Sequence, residues 1–158
     1  GKVVDALGDI GCDPEDGLIV AGHSMGAAIA TLAAWSLLQV HKFQLRMLYM
    51  FESPRVGNPA FHSAFYSAIV AQNTSAFRIT YDHDIVPHVP PVFAGFEHVG
   101  CEVYYDRDGT ARTCHSTEDD RCSNQWRLSE TDPNLQGGPN GGEHCNTAYA
   151  GDICACLP

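Results

Sequence analysis

"LIVAGHSMGAAIATLAAW", residues 18–35, decides the fold. Its opening run "LIVAG" follows the helix-breaking "PEDG" and reads as a short buried strand. The small and apolar residues from about 26 to 40 read as a buried helix. Between them stands Gly22-His23-Ser24-Met25-Gly26, a G-x-S-x-G pentapeptide at a strand-to-helix junction. A nucleophile elbow needs a strained turn that lifts a serine hydroxyl off the strand end. Glycines two residues to either side are expected to let strand and helix pass without side-chain clash. The first turn of the helix then aims backbone N–H groups at the substrate, and the N–H of Met25 is the expected oxyanion donor. The competing reading, a tight turn whose serine caps the helix, is weakened by the strand before and the helix after.

The pattern continues outward. Upstream, "VVDALGDIG" places Val3, Val4, Leu7 and Ile10 on one helical face. Downstream come a strand in "RMLYMF", a turn at "SPRVGNP", and a helix from about 60 to 71. The strand "AFRITY" follows, then the proline-rich "VPHVPPVFAGF" and the strand "GCEVYY". Strands alternating with helices predict an α/β protein with a mostly parallel sheet built from crossover units. From Asp106 onward the periodicity fades into a Gly-, Asp-, Asn- and Cys-rich tail. No repeat or linker divides residues 1–158, so one domain is expected.

Composition bounds the function. With 158 residues, 44% hydrophobic and 18% charged, the chain can bury a sizeable core. A formal net charge of -10 with nine Lys and Arg argues against nucleic acid, whose phosphates need clustered positive charge. The longest apolar run covers about fifteen residues, short of the roughly 20 that a bilayer-spanning helix needs. Seven cysteines and the sequon "NTS" at Asn73 favour a secreted, disulfide-bonded and glycosylated protein. "GKVVDALGDI" reads as an internal start left by processing or cleavage.

A serine hydroxyl needs a histidine to take its proton and a carboxylate to hold the imidazole. "RITYDHDIVPHVPP" offers Asp82 and Asp84 at a strand end, where parallel sheets place their functional groups. A metal reading of His83, Asp84 and His88 is weak, because their spacing crosses a turn followed by prolines. In the chain order serine, acid, histidine, the base lies among His88, His98, His115 and His144.

"GHSMGAAIATLAA", "FESPRVGNPAF" and "DIVPHVPP", in this order and spacing, resemble the class 3 (fungal filamentous-type) lipases of the α/β-hydrolase fold. The resemblance runs from about Leu18 to the C-terminus. It implies that Asp84, the aspartate of "DIVP", is the triad acid, with Asp82 the fallback. It also implies that "EHCNTAYAG" carries the base, His144, on a loop where Gly141 and Gly142 give the backbone freedom. His88 is too near Asp84 in sequence to swing back. His98 resembles a family histidine that is not catalytic. His115 lies between Cys114 and Cys122, a pair similar to a family disulfide.

The resemblance further implies that Cys154 or Cys156 bonds a cysteine upstream of Gly1; a Cys101–Cys145 bridge is a further candidate, outside the family pattern. Arg55 and Asn58 are expected to organise the turn after the second strand, and "VPPVF" to line a crevice wall. Proteins of this family carry an N-terminal half with the first strands, a lid helix and a second oxyanion residue. Residues 1–158 are thus expected to be the C-terminal portion of one catalytic domain, with a second polypeptide a candidate source of the rest. The activity implied is ester hydrolysis through an acyl-enzyme, without metal or organic cofactor. Acylglycerol at a lipid–water interface is the preferred substrate, and the family also contains feruloyl esterases. A non-catalytic fragment or binding module that keeps the motifs is the reading from a different class.

Overall fold

The computed structural model describes residues 1–136, 141–152 and 154. Helix α1 spans Lys2–Asp9. Strand β1 (Leu18–His23) runs into α2 (Met25–Gln39), which is followed by β2 (Leu45–Phe51), α3 (Pro59–Ala71) and β3 (Ser75–Tyr81). Strand β4 (Cys101–Tyr105) turns back into β5 (Ala111–Thr113), and a small hairpin, β6 (Asn146–Thr147) and β7 (Gly151–Asp152), closes the described chain. The main sheet has the order β1-β2-β3-β4-β5. Its first four strands are parallel and β5 is antiparallel to β4. The expected elements therefore form nearly where the sequence puts them, and β5 and the β6–β7 hairpin are the additions.

Helices α2 and α3 cover one face. In α2 the side of Ala27, Ala30, Thr31, Ala34, Leu37 and Leu38 is buried, at the spacing of one helical stripe. It packs with Phe65 and Ile69 of α3 on Leu45, Leu48, Met50 and Ala76 of the strands. Small alanines let α2 lie close to the sheet. The helix is not buried all round, since Ile29 and Leu32 on its outer side are exposed. The apolar face of α1 is only partly covered: Val3 and Ile10 are exposed, and Val4 and Leu7 are half-buried. Strand β1 is an edge strand, with Ile19 64% exposed.

The glycines of the elbow differ in role. A Cβ on Gly22 would collide with the backbone carbonyl of Gly26, so the approach of strand and helix requires glycine there. A Cβ on Gly26 would meet nothing, so the expectation that both glycines relieve a clash holds for one of them.

Cys114–Cys122 is a disulfide, as the family pattern implied. The expectations for the C-terminal cysteines need correction. Cys145 bonds Cys154, because the β6–β7 hairpin folds the chain back until their Cα atoms are 5.1 Å apart. This removes both the Cys101–Cys145 bridge and a bond from Cys154 to an upstream cysteine. Cys156 lies outside the described residues. Cys12 and Cys101 are free thiols, the latter exposed at the start of β4.

Candidate active site

The three parallel strands β1, β2 and β3 end side by side, and the candidate residues lie at those ends. Ser24 sits between β1 and α2 with a left-handed backbone, φ 58° and ψ -131°. Such a conformation is costly for a residue with a Cβ and is held here by its surroundings. The Ser24 N–H donates to the Phe51 carbonyl at 2.9 Å, and the Ser24 carbonyl accepts from Ala27 at 2.9 Å and Ala28 at 3.3 Å. Met25 is the first residue of α2, so its N–H has no acceptor within the helix and is available to an anion.

Asp84 follows β3 and is 1% exposed. Its Oδ1 accepts from the Val86 N–H at 3.0 Å, and its Oδ2 accepts from His144 Nδ1 at 2.8 Å. With the proton on Nδ1, the neutral imidazole keeps a lone pair on Nε2, the form a general base needs. The structure thus brings Asp84 and His144 together. Among the described residues no hydrogen bond joins Ser24 to His144. The link runs through His23, whose Nε2 donates to the His144 carbonyl at 3.0 Å and whose ring lies 4.6 Å from that of His144. Serine–histidine bonds often tighten only when substrate is bound.

The His144 loop is clamped, contrary to the freedom expected from its glycines. Gly142 is buried, and a Cβ there would collide with the Asn134 carbonyl, so close packing requires it. The Glu143 N–H donates to Asp132 Oδ2 at 3.1 Å, and the Cys145 and Asn146 N–H groups donate to the Gly142 carbonyl. Cys145–Cys154 then ties the loop to the last hairpin. His144 is accordingly 4% exposed.

The alternatives have other partners. Asp82 accepts from Arg107 Nε at 2.9 Å and from the Tyr104 hydroxyl at 3.3 Å, which tethers the β4–β5 turn instead of His144. His98 is buried; its Nε2 donates to the Pro87 carbonyl at 2.8 Å, and burial holds its pKa well below the usual value. His88 is buried too, and burial with Arg55 nearby brings its pKa down to about 4. His115 is exposed beside the Cys114–Cys122 disulfide. The suggested metal set does not assemble around Asp84. A different trio, Asp82, His83 and Glu143, brings ligand atoms within 4.8 Å of one another, and Arg107 already bonds both of its carboxylates. Arg55 forms a two-pronged bond to Glu118, at 2.9 and 2.7 Å, and donates to the Pro90 carbonyl. Asn58 caps α3 through the Phe61 N–H. Both serve the turn, as expected. In "VPPVF", Val92 and Phe93 are exposed.

Three neighbours escaped sequence reading: His23, Glu143 and Glu52. His23 and Glu143 flank the serine and the histidine, so only adjacency hinted at them. Glu52, fully buried, accepts from the Tyr149 hydroxyl at 2.9 Å and from the Tyr81 N–H at 3.2 Å. A cavity of about 630 Å³ between α3 and the start of β4 contains no candidate triad residue.

The family profile described as Lipase (class 3) matches residues 12–94, which span the elbow, the "SPRVGNP" turn and Asp84. The chain belongs to the class 3 lipase family. Over 95 residues it is 39% identical to the secreted mono- and diacylglycerol lipase 1 of Fusarium solani, covering 60% of this chain and 26% of that protein. It is 39% identical over 118 residues to the lipase of Rhizomucor miehei, covering 70% and 31%. Among solved structures, a lipase from Rhizopus microsporus var. chinensis is similar, with a TM-score of 0.70 and 29% identity over 98% of this chain and 50% of that one. A triacylglycerol lipase whose catalytic centre is a serine protease triad is similar with a TM-score of 0.69 and 29% identity, over 97% and 54%. These likenesses identify the sheet and its helices as part of an α/β-hydrolase fold. This class 3 lipase chain spans about half the length of these solved structures and about a quarter to a third of these curated relatives.

Proposed function

We propose that residues 1–158 are the C-terminal portion of the catalytic domain of a secreted carboxylic ester hydrolase acting on acylglycerols. The observation that carries this reading is the Asp84–His144 hydrogen bond, 2.8 Å long and buried, beside a serine in a left-handed strand-to-helix turn. Ser24 Oγ attacks the ester carbonyl while His144 Nε2 takes its proton, and the imidazolium formed is stabilised by Asp84 across Nδ1–H. The carbonyl oxygen becomes an oxyanion that the Met25 N–H bonds at the positive end of α2. His144 returns the proton to the departing alcohol. Water, activated by the same histidine, then hydrolyses the acyl-enzyme.

An acylglycerol substrate and an extracellular location are supported by relatives named as secreted mono- and diacylglycerol lipases. The exposed edge of β1 and the partly exposed apolar face of α1 support further chain packing there, in the same or a second polypeptide. Release of fatty acid from emulsified mono-, di- and triacylglycerols, compared with a feruloyl ester, tests the substrate. Fatty acid release that Ser24→Ala abolishes is the expected result. Hydrolysis of the feruloyl ester alone would replace the lipase reading with the esterase one, and no hydrolysis of any ester would favour a binding module.

A further inference from the structure

Glu52 breaks two rules at once. It directly follows β2, between the strand ends that carry Ser24 and Asp84, and its own N–H donates to the Ile79 carbonyl at 2.9 Å. Its backbone is left-handed, φ 46°, where a residue with a Cβ is strained. Its side chain is wholly buried and, among the described residues, has no cationic partner in its hydrogen bonds. Local rules are broken in this way chiefly at functional sites.

The groups around it come from several elements. The loop after β3 contributes Asp84, whose carboxyl is within hydrogen-bonding reach of the Glu52 carboxyl. Strand β3 gives the Tyr81 N–H, and the C-terminal hairpin gives the Tyr149 hydroxyl. Beyond Asp84 lie His144 and, from the end of β1, His23. Two carboxylates cannot both be charged at such range in a buried site, so one keeps a proton. Asp84 has the imidazole and a backbone N–H to stabilise its charge, whereas Glu52 has a phenol and one N–H.

We propose that Glu52 is a positioning residue that stays protonated and donates its carboxyl proton to Asp84, fixing the Asp84 carboxylate against His144. The proposal rests on the triad reading above and deepens it. Burial, and then the Asp84 charge, push the Glu52 pKa well above the usual carboxylate range. The Tyr149 hydroxyl, itself pushed upward by burial and by Glu52, stays a donor. Water reaches neither carboxyl, so the Glu52 proton supplies a bond that solvent cannot replace. With that bond in place, the Asp84 carboxylate keeps one orientation against His144.

The test compares Glu52→Gln and Glu52→Leu with the wild type in the full natural chain that carries these residues. Glutamine keeps a neutral donor in nearly the same shape, and leucine keeps only bulk. A hydrogen bond to a charged group predicts a fall in kcat/KM of roughly 10- to 100-fold for Glu52→Leu, carried by kcat, with most of it recovered in Glu52→Gln. Infrared difference spectra at neutral pH should show the carbonyl stretch of a protonated carboxylic acid in the wild type that Glu52→Gln lacks. That reading does not depend on turnover. Absence of the band, or equal kinetics for the two variants in an enzyme whose Ser24 takes a phosphonate label, overturns the role of Glu52 and leaves the triad standing. A wild type that takes no label overturns the triad and this role together.

Discussion

The two glycines of the elbow should respond oppositely to the same substitution. In Gly22→Ala the new methyl is driven into the Gly26 carbonyl, a backbone group that moves only if α2 moves. Overpacking of this kind costs about 1–3 kcal/mol. For a chain of this size 1 kcal/mol corresponds to a shift of roughly 2–4 °C, so Tm should fall by about 2–12 °C. Displacing α2 also moves Ser24 and the Met25 N–H, so a phosphonate should label the variant more slowly than its stability alone explains. In Gly26→Ala the methyl meets nothing, and a helix residue that loses Gly for Ala gains up to about 1 kcal/mol. Its Tm should rise by a few degrees, roughly 2–4 °C on the same scale. Thermal unfolding followed by circular dichroism measures both. Equal losses in the two variants, or an unperturbed Gly22→Ala, would refute the close strand–helix approach as the reason for glycine.

Three further outcomes follow from the site. Asp84→Asn should lower kcat by about 10⁴-fold, since an amide cannot hold the imidazolium, whereas Asp82→Asn should cost activity less than tenfold as a rough bound; steady-state ester hydrolysis separates them. His88, whose folded pKa is about 4 against an ordinary histidine value of about 6.5, binds protons more readily once unfolded. Its contribution is therefore full above pH 6.5 and lost as pH falls towards 4; chemical denaturation over that window should show a fall in stability of up to about 3 kcal/mol that His88→Gln removes. Replacing Cys145 and Cys154 together by serine opens the clamp on the His144 loop, should cost about 2–3 kcal/mol of stability, and should make that loop sensitive to limited proteolysis.

The sheet was legible because its signals are local. Buried strands such as "RMLYMF" carry near-continuous apolar runs, and α2 and α3 begin at a glycine-flanked serine and at an Asn-Pro step. Chain order and family motifs selected Asp84 and His144, and the structure places those two in contact. The features that sequence did not show depend on contacts between distant residues. Glycine in "GGEH" signals freedom locally, and only the neighbouring Asn134 carbonyl makes Gly142 a packing requirement. Cysteine spacing does not encode partners, so the Cys145–Cys154 bond needed the hairpin that brings them together. In the sequence Glu52 stands between the strand "RMLYMF" and the turn "SPRVGNP" with no motif of its own. Nothing near it in sequence reveals that Tyr149 and Asp84 meet it in the interior.

Central to this account is that Ser24, Asp84 and His144 act as one nucleophilic unit. The most direct measurement is phosphonate labelling of the folded protein with mass spectrometric mapping of the adduct, in the wild type and in Ser24→Ala, His144→Ala and His98→Ala. The account predicts an adduct on Ser24 that disappears in Ser24→Ala, nearly disappears in His144→Ala and persists in His98→Ala. No adduct, an adduct on another residue, or labelling that survives His144→Ala and is lost in His98→Ala would contradict it.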